Sequence, residues 1–144
     1  MKEYDAWKEN MKIELDNLVA NNFDRLYHSK SSETTKIWGE ISGELYKKYD
    51  LVDISCTNPK YEMKRKMQHC IFMNIYFYSF EEFPWELSDP RTYRFVKQYG
   101  KLPKQAPDEW DKFELEERVK AGEARKLQIK RFKDALNKRY TASQ

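Results

Sequence analysis

Four side chains make up the soft-ligand set of this chain: His28, His69, Cys56 and Cys70. A structural zinc site usually draws its four ligands from two closely spaced pairs. His69 and Cys70 are adjacent, and neighbours on a helix point about 100° apart, so they do not close on one ion. Asp24 and His28 stand one helical turn apart, a spacing that suits an ion pair at a helix end. Cys70 reads as a small buried hydrophobe, and two cysteines do not make a disulfide framework. The expectation is no metal and no cofactor.

Other chemistry is equally thin. Gly39, Gly43, Gly100 and Gly122 are scattered rather than gathered into a phosphate-cradling loop. No Gly-x-Ser-x-Gly turn presents a nucleophile. Asp53 followed by Glu62-Met63-Lys64 has the lettering of a metal-dependent nuclease core. That core sets the Glu and Lys on a strand, whereas Asn58-Pro59 opens a helix here, on which Glu62 and Lys64 face different directions. A nuclease is therefore the remote alternative. The expectation is a protein that is not an enzyme, with no catalytic residue.

The elements that position these residues follow from spacing. Tyr4, Trp7, Met11, Leu15, Leu18 and Leu26 recur at three- and four-residue steps and predict one amphipathic helix over 3–28. Ser31 or Ser32 can cap a second helix carrying Ile37, Trp38, Ile41 and Leu45, up to about Asp50. The stretch 51–57 is a connection or one short strand. Asn58-Pro59 starts a helix over 59–82 with apolar residues on every side, which predicts a buried helix at the centre of the fold. A buried strand over 71–78 is the alternative, since Ile, Phe and Tyr also suit strands. Ser88-Asp89-Pro90 and Gly100 bracket a short helix, 101–107 is a Pro-containing linker, and a long helix covers 107–140. Along that last helix acids come first and cations follow, as the helix macrodipole favours.

These elements predict an all-α fold of about five helices in a single domain spanning 1–144. The chain has 144 residues, enough for a proper core, and four glycines are too few for a many-stranded β architecture. Aromatics at 15% argue against disorder. The first residues are charged and lack a signal peptide's apolar run. The longest apolar stretch, 70–80, is about half of a bilayer span. No membrane association is expected, and the expected location is cytoplasmic.

Binding surfaces are what remain. Net charge is only +3, so the placement of charge matters more than its sum. Lys64, Arg65 and Lys66 form one basic cluster. Arg125, Lys126, Lys130, Arg131, Lys133, Lys138 and Arg139 lie on the last helix and could track phosphates. The stretch 80–87 joins two helices, Pro84 keeps part of it out of a helix, and its Phe83, Trp85 and Leu87 are anchor-type residues for a protein interface. Phe132, Leu136 and Tyr140 add an apolar stripe to the last helix. In composition the chain resembles small accessory proteins of large phages and other mobile elements, being short, rich in Lys, Glu and aromatics, and free of cofactor motifs. That resemblance implies a regulator, inhibitor or accessory subunit bound stoichiometrically to a larger protein or complex, in the host cytoplasm if viral. Nucleic-acid binding is the alternative, and a second copy of the chain is a further partner.

Overall fold

The computed structural model describes residues 2–54 and 57–142 and is all-α. Among the described residues six α-helices run in order: α1 (Lys2–Asn21), α2 (Phe23–His28), α3 (Ser31–Lys48), α4 (Glu62–Phe77), α5 (Pro90–Tyr99) and α6 (Pro107–Ala142). Among the described residues there is no strand. The chain divides into two units, Met1–Gln105 and Ala106–Gln144, and the boundary falls inside the proline-bearing segment 101–107.

In the first unit, α1 and α2 replace the single helix expected over 3–28. Asn22 marks the junction: its side-chain amide donates to the Leu18 carbonyl at 2.8 Å and its Oδ1 accepts from Arg25 at 3.0 Å. Such local bonds compete with helix propagation. The cap of α3 also differs from expectation, because Lys30 occupies the N-cap and no side chain caps it. Ser29 instead bonds Leu26 O and Thr34 bonds Lys30 O.

The other two caps form as the sequence reads. Asn58 Oδ1 accepts from the Lys60 amide at 3.0 Å, opening a 3-10 turn (Pro59–Tyr61) that runs into α4. Asp89 Oδ1 accepts from the Arg91 amide at 2.8 Å to start α5. Gly100 ends α5 at φ +69°, a left-handed conformation that costs glycine little.

No strand forms over the described part of 51–57. Asp50 and Asp53 adopt left-handed φ values of 54° and 60°, which Asp tolerates better than most residues. Between them Leu51 is fully buried, with its carbonyl accepting from Gln68 at 3.3 Å. The segment works as a plug. Cys56 lies outside the described residues.

The largest departure concerns 59–82. The helix is present, which removes the strand alternative for 71–78, but it is not buried on all sides. It packs on α1 and α3 and buries Ile71, Ile75 and Tyr78, while Phe72, Met73, Tyr76, Phe77 and Phe80 are about half or more exposed. A helix placed against two neighbours has one covered face, whatever its composition.

Nor does the chain leave the helix at Phe80. It continues as a π-helix over Tyr78–Leu87 with Pro84 inside it. The buried residues there are Tyr78, Phe83 and Leu87, at steps of five and four. Five residues of α-helix overshoot a full turn by about 140°, whereas i→i+5 winding brings such residues onto one side. The π-winding therefore matches the period of the residues that must reach the core. Phe83 meets Phe23 at 5.3 Å and Trp38 at 6.2 Å between ring centroids, and Trp38 meets Tyr78 at 6.1 Å. Around this aromatic centre Met11, Leu15, Val19, Ile41, Leu45 and Phe95 are buried.

The second unit is essentially α6, a helix of 36 residues. Trp110 stacks on Phe113 at 5.9 Å, and Arg118 bonds Glu114 at 3.6 Å across one turn. Residues 118–141 are exposed throughout.

Candidate interaction surfaces

The sequence-derived interface on 80–87 divides. Phe83 and Leu87 are buried, because the π-winding turns both onto the core, and neither offers a surface. Trp85 lies between them and is 80% exposed. On α4 and the start of the π-helix the structure reveals an aromatic line that spacing did not predict as surface. Phe72, Tyr76 and Phe80 follow one another at four-residue steps, with ring centroids 6.4 and 4.7 Å apart.

A cluster of charges fixes where this segment points. Lys104 Nζ is 3.0 Å from Asp16 and 2.7 Å from Glu82, and sits 4.2 Å from the centroid of the Tyr78 ring. The Tyr78 hydroxyl donates to the same Asp16 carboxylate. Burial, and then that hydrogen bond, push the phenol far above its ordinary value of 10.0. Both act in one direction, because burial disfavours the phenolate and a carboxylate acceptor favours the O–H.

On α6, Arg125, Ile129, Phe132 and Leu136 follow at three- and four-residue steps, with Lys133 one turn beyond Ile129, so cations flank the apolar side chains along one side. Phe132 is 65% exposed, with Ile129, Leu136 and Tyr140 also exposed. Lys126, Lys130, Arg131, Lys138 and Arg139 are exposed on the same helix. The other basic cluster is tied down locally: Lys64 bonds Asp50 at 3.1 Å, Arg65 donates to Asn58 O at 2.8 Å, and the Lys66 ammonium lies 4.5 Å from the Tyr4 ring centroid.

The soft ligands also separate. His28 Nε2 is 3.7 Å from Asp24, and Tyr93 closes the pair by donating to Asp24 at 2.5 Å while lying 3.1 Å from His28. That hydrogen bond raises the Tyr93 phenol, with desolvation adding to it. Cys70 is half-buried rather than buried, with Asn74 Nδ2 3.6 Å from its sulfur. Among the described residues no three His, Cys, Asp or Glu side chains gather to hold a metal ion. Glu62 and Lys64 lie in the first turn of α4, and Lys64 is paired with Asp50.

No family model, curated protein or solved structure matches this chain. Among the described residues, no helix is long and apolar enough to cross a membrane.

The Tyr78 environment gives a pH prediction. A phenol whose folded value lies above its unfolded value contributes stability that is fully present below pH about 10 and falls as pH rises beyond it. Tyr78→Phe removes that dependence. Urea midpoints at pH 8 and pH 11 (chosen test conditions that bracket about 10) should therefore drop further for the wild type than for Tyr78→Phe. Equal drops would show that the phenol is not held by burial and Asp16.

Proposed function

We propose that the chain acts by stoichiometric association with a larger protein or assembly, as a regulator, inhibitor or accessory subunit, and that it is not an enzyme. The observation that carries this reading is α6. Its residues 118–141 are exposed throughout, yet they hold Leu127, Ile129, Phe132 and Leu136. Exposed apolar side chains lined up on one element mark an interaction site more often than they mark a free surface. A helix presenting anchors at i, i+3 and i+7 is the form that grooves on other proteins accept. The interleaved cations select a groove with an acidic rim. The compositional likeness to phage and mobile-element accessory proteins supports the same reading, with the host cytoplasm as its setting.

Nucleic-acid binding is the second reading, and one observation favours it. Between Arg118 and Arg139 there are nine cations against Glu123 and Asp134, all on exposed helix. Phosphate contacts from such a stripe would release counterions and weaken with salt.

Two measurements separate the readings. Affinity capture from the native cell with wild-type bait is expected to recover one partner in stoichiometric yield, and Phe132→Glu with Leu136→Glu should lose it. Equal yield with the double variant would remove α6 from the interface and end the first reading. Fluorescence anisotropy with single- and double-stranded oligonucleotides at low salt tests the second. Binding that Lys130→Glu with Lys133→Glu abolishes would support it, and no binding at low salt eliminates it.

A further inference from the structure

We infer that the exposed face of α4 is a contact between two copies of this chain, packed antiparallel about a twofold axis at Tyr76. This inference uses a different helix from the reading of α6 and does not rest on it.

The face is self-complementary in shape. Tyr76 stands midway between Phe72 and Phe80, and reversing the helix direction about Tyr76 places Phe72 of one copy on Phe80 of the other. All three are exposed in the single chain, and rings at four-residue steps offer the edge-to-face and offset packing that aromatic pairs prefer. Twofold pairing of identical patches is the commonest way that soluble chains associate.

The face is also self-complementary in charge, in a way that the helix itself does not explain. Residues 60–66 hold Lys60, Lys64, Arg65 and Lys66 against Glu62, whereas 67–88 contain Glu81, Glu82 and Glu86 and no Lys or Arg. A helix macrodipole favours acids at the N-terminal end and cations at the C-terminal end. α6 follows that rule, while α4 and its π-helical continuation run against it. Intrahelical electrostatics therefore disfavour this placement, and an antiparallel neighbour reverses the sign. The register that sets Tyr76 on Tyr76 brings Lys66 of each copy to Glu86 of the other. Lys66 and Glu86 are both exposed, and among the described residues Glu81 and Glu86 have no ion pair. Lys64 and Arg65 are held by Asp50 and Asn58, so the cation a second copy supplies is Lys66, which leaves the Tyr4 ring to pair with Glu86.

The test is the solution mass of the full chain by sedimentation and light scattering across micromolar concentrations. The expected result is a concentration-dependent species of twice 17.5 kDa. Tyr76→Glu should remain monomeric with unchanged helical circular dichroism, and Phe72→Ser is a second variant should Tyr76→Glu disturb folding. Lys66→Glu and Glu86→Lys should each weaken association by about three- to tenfold, since each change breaks two symmetric pairs. The combined charge swap should restore it. A monomer at every concentration overturns the inference, as does a dimer indifferent to Tyr76→Glu and Phe72→Ser. A dimer broken instead by Phe132→Glu would assign self-association to α6, and a charge swap without rescue overturns the antiparallel register.

Discussion

The exposed aromatic surface of this protein depends on Lys104. Its ammonium joins Asp16 of α1 to Glu82 of the π-helical segment and lies over the Tyr78 ring. The two carboxylate side chains retain only 21% and 12% of their exposure, so without the cation two acids would face each other in poorly solvated surroundings. This bond clamps the segment after α4 where its winding is widest and where Pro84 has already removed one backbone donor. Ser88 stabilises the far end by donating to Pro84 O at 2.7 Å. With the clamp in place Phe83 and Leu87 reach the core and Trp85 turns to solvent. A regular α-helix over the same residues would give up that division.

The two long helical elements use charge in opposite ways. α6 arranges acids and cations as its own dipole prefers, so its charge pattern is explained by the stability of an exposed helix. The apolar residues among the cations contribute only weak i,i+3 and i,i+4 contacts to an isolated helix in water. α4 and its continuation carry charge against the dipole and expose a line of aromatics. Each helix therefore exposes a set of large apolar side chains, and the two proposals give each set a partner surface.

Much of the fold was legible in the sequence. The asparagine and aspartate caps before Pro59 and Pro90, the stop at Gly100 and the full run of α6 all rest on local chemistry that spacing reveals. The break at Asn22 was less accessible, since an asparagine within an apolar repeat can point to solvent or bond back to its own helix. The burial of α4 was misread for a global reason. Apolar residues on every side predict burial only if enough chain exists to cover every side, and here α4 has α1 and α3 against it. The π-winding escaped because 78, 83 and 87 fit no α-helical face and Pro84 reads as a terminator. Spacing thus assigns Phe83 and Leu87 to the surface and Phe72, Tyr76 and Phe80 to the core, the reverse of their burial. The step of five from Tyr78 to Phe83, followed by four to Leu87, was the available signal.

The central claim is that this chain works by presenting surface to other macromolecules. Covalent footprinting of side chains, performed inside the native cell and on the purified protein at high dilution, tests it most directly. Phe132 and Leu136 on α6, and Phe72 and Tyr76 on α4, should label strongly in the dilute protein and be protected in the cell, with exposed Ile13 labelling alike in both as an internal reference. Equal labelling of all these residues in the two settings would contradict the account.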